Sequence, residues 1–168
     1  MKNTMTHPTW ELPLKDNGAL ILMPCPGTKQ VTLLDSLKQL KSQGVTVIIT
    51  AISQAEMQAK NVGDLGDLAA TLGIQWLHLP IEDDCVPDHT FQQDWQKNSK
   101  ALHARLARGE KIAMHCMGGS GRTGLLAAHL LLERDWALDE IIARVQALRP
   151  GAFKKADQID YVRQLAEK

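Results

Sequence analysis

The sequence predicts an α/β domain built on a central, mainly parallel sheet of four to five strands that is flanked by helices. Short apolar runs typical of buried strands alternate along the chain with longer segments whose apolar residues recur at helical spacing. Three successive helical segments follow the last strand, and we expect them to close the C-terminal side. With 168 residues, 44% of them hydrophobic, the chain (1–168) is long enough for one domain and too short for two ordinary ones.

The first third of the chain contains two predicted strands separated by a helix. Residues 18–23 form an apolar run that ends at a Pro-Cys-Pro-Gly turn, and residues 45–50 form a β-branched run typical of a strand buried on both faces. Between them, leucines at helical spacing predict a helix over residues 31–43, with Gly44 as its stop.

The middle of the chain is predicted to hold one or two short helices, a third strand and a long helix. The short helices fall within residues 51–73, and the strand spans residues 74–79. Thr90 and Gln93 have the spacing of a capping box, which predicts a helix that starts there and runs to Arg108.

The last third begins with a short strand at residues 111–115, which leads into a glycine-rich loop. Three helices are predicted after that loop, over residues 123–134, 138–148 and 156–166. The second of them carries an unbroken apolar stripe, so it is expected to pack against the core.

Composition and charge exclude several classes of protein. The chain has 19 basic and 19 acidic residues, a balance that argues against a general nucleic-acid binder. The N-terminus carries no apolar run suited to a signal peptide, and no segment is long and apolar enough to suggest a membrane span. Three scattered cysteines and dispersed histidines predict neither a disulfide framework nor a metal site. We therefore expect a cytoplasmic protein without a cofactor, a metal, a nucleic-acid partner or a membrane.

The most informative segment is His-Cys-Met-Gly-Gly-Ser-Gly-Arg-Thr-Gly at residues 115–124. Four of the five residues between Cys116 and Arg122 are glycine or serine, so the backbone can curl with its N–H groups pointing inward. Such a ring at a helix N-terminus binds a tetrahedral oxyanion, and its field favours the thiolate form of Cys116. Arg122 can close the ring by binding two phosphate oxygens. This convergence predicts a phosphoryl-transfer site.

Three other interpretations use the same residues. Residues 119–124 match the dinucleotide fingerprint GxGxxG, but about 20 positions further on, at 143–145, the chain has Ala, Arg and Val instead of an acidic residue. A nucleotide-triphosphate loop would need glycine in place of Cys116 and lysine in place of Arg122. The remaining alternative is a glycine-rich turn that carries a buried, inert cysteine.

The segment resembles the HCxxGxxR[ST]G signature of the cysteine-dependent protein tyrosine and dual-specificity phosphatases. The resemblance extends over most of the chain and is closest to the kinase-associated phosphatase type. Three further similarities support it, and they lie at Pro26-Gly27, at Pro80–Asp83 with Pro87-Asp88, and at Arg149–Ala152. The resemblance implies a dual-specificity phosphatase-like fold with no cofactor.

The resemblance also implies a catalytic set in which Cys116 is the nucleophile and Asp83 the general acid. Asp83 precedes Cys116 by 33 residues and ends the Pro-Ile-x-Asp segment of the family. Spacing alone does not distinguish it from Asp84 or Asp88, whose alternative roles are a solvated loop charge and a helix cap.

Further roles follow from the same resemblance. Thr123 is expected to hydrogen-bond the sulfur, His115 to support the loop, and Gln158 to position the hydrolytic water. Lys154 departs from the family, in which relatives often have a second glutamine there. The expected phosphate-binding residues are Met117, Gly118, Gly119, Ser120, Gly121 and Arg122.

The expected function is hydrolysis of phosphotyrosine, and also of phosphoserine and phosphothreonine, in phosphoprotein or phosphopeptide partners. Aromatic residues are scarce, which favours a shallow pocket over a deep, tyrosine-specific one. The alternatives are a phosphoinositide, nucleotide or RNA-end substrate, a silent phosphate-binding module, and an exposed-thiol sulfurtransferase. Cys85, two residues after Asp83, also suggests a reversible disulfide with Cys116.

Overall fold

The computed structural model describes residues 6–168, in which five strands form one sheet and seven helices surround it. The strands are β1 (Trp10–Pro13), β2 (Ala19–Met23), β3 (Val45–Thr50), β4 (Gln75–His78) and β5 (Lys111–His115). The helices are α1 (Leu33–Ser42), α2 (Gln54–Ala59), α3 (Leu65–Thr71), α4 (His89–Ala107), α5 (Gly121–Glu133), α6 (Leu138–Leu148) and α7 (Ala156–Ala166).

The sheet has the strand order β1-β2-β5-β3-β4, in which β2, β5, β3 and β4 are parallel and β1 is antiparallel to β2. The predicted fold class is therefore confirmed. β5 lies in the middle of the sheet, and its residues from Ile112 to His115 are fully buried. The carboxyl ends of the parallel strands meet at one edge, where open α/β sheets bind their ligands.

Two groups of helices pack on this sheet. Helices α1 and α3 contact each other and cover β3 and β4, whereas α5 contacts β5, β2, α6 and α7. α5 is the most deeply buried helix, with Leu125 to Ala128 fully inaccessible to solvent. No helix within residues 6–168 combines the length and the hydrophobicity that a membrane span requires.

Most predicted elements lie within a few residues of the observed ones, and four of them have the predicted bounds: β3, β5, α6 and α7. The capping box at Thr90 is wrong, because α4 begins at His89 and its N-cap is Asp88. The Asp88 carboxylate accepts the N–H of Phe91 at 2.8 Å, so the helix start is fixed two residues earlier.

The strand β1 was not predicted, because its four residues carry little strand signal. Only Leu12 is buried among them, and Pro13 removes a donor that an inner strand would need. Antiparallel pairing with β2 places β1 at the edge of the sheet, where proline is tolerated.

A buried aromatic cluster joins α4, α5 and α7. The ring of His129 lies 5.1 Å from Phe91 and 5.4 Å from Trp95, and its Nε2 is 2.6 Å from the hydroxyl of Tyr161. Burial, with a smaller effect from the charge of Lys168, lowers the pKa of His129 to about 4. The neutral ring is therefore part of the core.

We predict that His129→Gln makes the free energy of unfolding less dependent on pH. Below about pH 6.5 the unfolded state binds a proton that the folded ring refuses, so stability falls as the pH drops from about 6.5 towards 4. At pH 5 this proton uptake by the unfolded state is expected to lower the free energy of unfolding by about 2 kcal/mol relative to pH 7. Urea unfolding at pH 7 and pH 5 measures it. His89 is exposed, so His89→Gln is the control. If the unfolding free energy fell equally between pH 7 and pH 5 in His129→Gln and in His89→Gln, the prediction would be contradicted.

Candidate active site

The loop from Cys116 to Gly121 lies at the carboxyl end of β5 and leads directly into α5. Gly119 has a φ of +83°, and a Cβ there would lie 2.5 Å from the carbonyl carbon of Met23. No other residue fits this position, so the glycine is required by both backbone angle and space. The loop consequently turns sharply at the N-terminus of α5, the end of the helix that attracts anions.

Two donors point at the sulfur of Cys116, which is only 4% exposed. The backbone N–H of Gly119 lies 3.3 Å from Sγ, and the hydroxyl of Thr123 lies 3.2 Å from it. Both donors can stabilise negative charge on the sulfur, which suits a nucleophile that attacks an electrophilic centre. The structure therefore brings Thr123 to the atom that the sequence predicted for it.

The guanidinium of Arg122 is buried and held by Glu56 of α2. Nη1 and Nη2 donate to the two carboxylate oxygens at 2.8 and 2.9 Å, and Nη1 also donates to the carbonyl of Ile81 at 3.0 Å. Nε–H and the second proton of Nη2 have no hydrogen-bond partner within residues 6–168, so this edge of the guanidinium is left for two phosphate oxygens.

The ion pair between Arg122 and Glu56 shifts the pKa values of both side chains. Burial is the largest single effect and lowers the pKa of Arg122. The hydrogen bonds to Glu56, together with the negative charges of Cys116, Glu56 and Asp83, outweigh it and raise the pKa of the guanidinium above its ordinary value. In return, the hydrogen bonds from Arg122 lower the pKa of Glu56. Glu56 was not identified from the sequence. The sequence did contain the capping box of α2, which marks the start of that helix. In it, the side chains of Ser53 and Glu56 each accept a hydrogen bond from the backbone N–H of the other residue.

His115 is buried behind the loop and connects it to the neighbouring strands. Its Nδ1 donates to the carbonyl of Cys116 at 3.0 Å, so the neutral ring must accept at Nε2, 2.7 Å from the hydroxyl of Thr50. The indole of Trp76 donates to the same hydroxyl at 2.7 Å. Burial lowers the pKa of His115 to about 4, which fits this neutral form. The ring holds the loop and does not reach the cavity.

The three candidate acids occupy different environments. The Asp83 side chain is 72% exposed, lines the cavity above Cys116, and lies 3.5 Å from Nη2 of Arg122. Asp84 has a φ of +62° and forms an ion pair with Lys155, while Asp88 caps α4. Among the three, only the Asp83 carboxylate is both near Arg122 and without an ion pair to a lysine or a role as a helix cap.

These side chains surround a cavity of about 280 Å³ that opens on one side. Gln158 is 4% exposed and lines it, and Lys154 lies at its rim. Gly119, predicted to face the phosphate, instead directs its N–H at the sulfur. The lining residues are Glu56, Asp83, Asp84, Cys116, Met117, Gly118, Ser120, Gly121, Arg122, Gly151, Lys154, Lys155 and Gln158, none of them aromatic.

The other two cysteines lie outside this cavity. Cys85 is exposed and lines a separate cavity of about 500 Å³, so the suggested disulfide with Cys116 gains no support. Cys25 is buried, and its burial, with the nearby Cys116 and Glu56, raises the pKa of its thiol to about 12. Its thiol therefore stays protonated and unreactive.

The arrangement can bind a phosphate monoester and attack its phosphorus. It combines a sulfur nucleophile that accepts two hydrogen bonds, a guanidinium edge and a helix N-terminus, with a carboxyl group on an exposed loop above them. Attack by sulfur, charge stabilisation and protonation of a leaving oxygen each have a residue in place.

The comparisons with known proteins agree with this chemistry. The family model of the dual specificity phosphatase catalytic domain matches residues 29–168. Human cyclin-dependent kinase inhibitor 3 is 28% identical over 99% of this chain and 82% of that protein. The tyrosine-protein phosphatase CDC14 of Saccharomyces cerevisiae is 37% identical over 48% of this chain. This chain spans 14% of the yeast protein and 62% of the rat cyclin-dependent kinase inhibitor 3.

Solved structures show the same fold. A crystal structure of kinase-associated phosphatase, with its catalytic-site cysteine replaced by serine, superposes with a TM-score of 0.86 at 27% identity, covering 98% of this chain and 97% of that one. The structure of PTPMT1 in complex with PI(5)P has a TM-score of 0.73 at 17% identity and covers 94% and 95% of the two chains, so it shows the fold alone.

We predict that Glu56→Gln lowers kcat/KM for an aryl phosphate by about 10- to 100-fold, because the Arg122 guanidinium loses the carboxylate that orients it. The unfolding free energy should fall by about 1–3 kcal/mol, since a buried cation loses its counter-charge. Asp16→Asn is the matched control, because Asp16 binds Arg134 with both oxygens in a distant ion pair. Unchanged kcat/KM in Glu56→Gln, or an equal loss in Asp16→Asn, would argue against the orienting role.

Proposed function

We propose that this chain, which belongs to the dual-specificity phosphatase family, is an enzyme that hydrolyses phosphate monoesters of phosphoproteins through a phosphocysteine intermediate. The observation that carries the proposal is the sulfur of Cys116, which accepts two hydrogen bonds in a cavity that Arg122 also lines. The fold, the family match and the similarity to kinase-associated phosphatase support it.

In the first step, the Cys116 thiolate attacks phosphorus and the bond to the leaving oxygen breaks. The free edge of Arg122 and the N–H groups of Met117, Gly118, Ser120 and Gly121 stabilise charge on the equatorial oxygens. Asp83 gives its proton to the leaving oxygen, because its carboxyl group stands over the cavity close to Arg122. The products are the free alcohol or phenol and a phosphocysteine.

In the second step, water attacks the phosphocysteine and the P–S bond breaks. Asp83, now a carboxylate, accepts the proton of the water. Thr123 donates its hydroxyl hydrogen bond to the departing sulfur, from its position 3.2 Å away. Gln158 is buried at the edge of the cavity, where its amide can orient the attacking water. His115 holds the loop through the carbonyl of Cys116.

The proposed substrates include phosphoserine and phosphothreonine as well as phosphotyrosine. The cavity of about 280 Å³ has no aromatic wall among the residues that line it, so a short side chain can bring its phosphate to the sulfur. Lys154 at its rim suits acidic phosphoproteins, whereas the charge of Lys155 is already paired with Asp84. We also propose a cytoplasmic location, a reducing compartment that suits the three free thiols.

We predict that the protein hydrolyses a generic aryl phosphate in excess EDTA and that Cys116→Ser loses this activity on the order of a thousand-fold or more. Cys85→Ser is the control, since Cys85 lines the separate cavity and should leave the rate unchanged. Phosphopeptides, a soluble phosphoinositide and a nucleotide monophosphate are then compared by phosphate release. Faster release from the last two would overturn the protein substrate, and an inactive wild type that binds vanadate would favour a silent binding module.

We predict that Asp83→Asn lowers kcat by about 100-fold or more for esters with poorly acidic leaving groups and by much less for those with strongly acidic ones. Asp84→Asn and Asp88→Asn are matched controls from the same loop and should affect all esters alike. The measurement is kcat across a series of aryl phosphates. If Asp84→Asn or Asp88→Asn showed the leaving-group dependence and Asp83→Asn did not, the general acid would be reassigned.

A further inference from the structure

Arg149, the C-cap residue directly after α6, contacts the loop of Cys116 from outside the cavity. Its Nη2 donates to the carbonyl of Gly118 at 2.7 Å, and its Nε donates to the carbonyl of Gly119 at 3.0 Å. No step of the proposed reaction uses this arginine. One charged side chain therefore donates to two adjacent carbonyls, and both carbonyls belong to the predicted phosphate-binding loop.

The geometry of the peptide bond transmits this contact to the site. The carbonyl and the N–H of a trans peptide point in opposite directions, and residues 6–168 contain no cis peptide. The carbonyl of Gly118 shares a peptide with the N–H of Gly119, which lies 3.3 Å from the sulfur of Cys116. The carbonyl of Gly119 likewise shares a peptide with the N–H of Ser120, a residue of the cavity wall.

We propose that Arg149 is a positioning residue that holds these two peptides with their N–H groups towards the sulfur and the substrate phosphate. By binding the carbonyls, the guanidinium also polarises both peptides and makes their N–H groups stronger donors. The inference rests on the proposed function, because it concerns the same nucleophile and the same anion.

The position of Arg149 is itself fixed by β1. The guanidinium carbon lies 3.8 Å from the centre of the Trp10 ring, a cation–π contact that leaves the nitrogens free to donate. Trp10 belongs to β1, which precedes residues 29–168, the part of the chain that the family model matches. On the other side, a Cβ at Gly151 would lie 3.1 Å from Cβ of Ser120, which shows how closely the two loops approach.

The experiment compares Arg149→Ala, Arg149→Lys and Trp10→Leu with the wild type. Vanadate affinity is measured by calorimetry, and the pH midpoint of iodoacetamide alkylation is measured at the Cys116 peptide by mass spectrometry. The control is Arg144→Ala, which removes another α6 arginine that lies over a tryptophan, Trp136, at 5.7 Å. Circular dichroism shows which variants are folded.

We expect Arg149→Ala to bind vanadate about 10- to 100-fold more weakly and its alkylation midpoint to rise by about one pH unit. Arg149→Lys should restore part of both values, since an ammonium keeps the charge but cannot bind two carbonyls as a planar fork does. Trp10→Leu should change both in the same direction by a smaller factor, and Arg144→Ala should change neither.

Wild-type vanadate affinity and alkylation midpoint in folded Arg149→Ala would overturn the inference, as would equal changes in Arg144→Ala. If Arg149→Ala did not fold, Arg149→Lys and Trp10→Leu would decide it by the same two measurements. A wild type that bound no vanadate and whose Cys116 was alkylated only at alkaline pH would instead overturn the proposed function.

Discussion

The site depends on one backbone constraint: the loop after β5 must point its N–H groups inward, and a loop that does so must direct its carbonyls outward. Each carbonyl from Met117 to Ser120 accepts a hydrogen bond from a group outside this stretch. Cys25 donates its N–H to the carbonyl of Met117 at 2.9 Å, and Gly124 donates to that of Ser120 at 2.8 Å. Arg149 serves the two carbonyls between them. The anion site is therefore built as much from outside the loop as from within it.

The fold places these external donors at one end of the sheet. Cys25 follows β2, the parallel neighbour of β5, and Gly124 belongs to the first turn of α5. Arg149 arrives at the end of α6, which packs on both α5 and β1. Groups from β1, from the end of β2, and from α5 and α6 thus meet at the loop of residues 116–121. This loop lies at the edge of the sheet where the parallel strands end.

The loop itself could be predicted from the sequence, because its residues are contiguous and each type has a local reason to be there. The parallel core was predictable for a similar reason, since β3 and β5 are apolar runs with clear ends. Glu56 and Arg149 could not be predicted. Glu56 meets its partner across 66 residues of chain and Arg149 across about 30, so the neighbouring residues in the sequence carry no sign of either partner.

The three aspartates of the loop before α4 also show what the sequence can predict and what only the structure can. Spacing admits Asp83, Asp84 and Asp88 equally, whereas the structure separates them by backbone conformation and by partner. Asp84 adopts a positive φ and pairs with Lys155, and Asp88 is committed to α4. Only the family resemblance favoured Asp83 in advance, and the position of its carboxylate beside Arg122 is consistent with that choice.

The ion pair between Arg122 and Glu56 has a consequence for which small anions the cavity selects. Since the glutamate balances the charge of the guanidinium, the pair adds no net charge to the cavity wall, and Arg122 acts on an anion through the direction of its N–H groups. An unpaired guanidinium would attract any small anion, whereas the paired one favours an anion with two oxygens spaced to match its remaining edge.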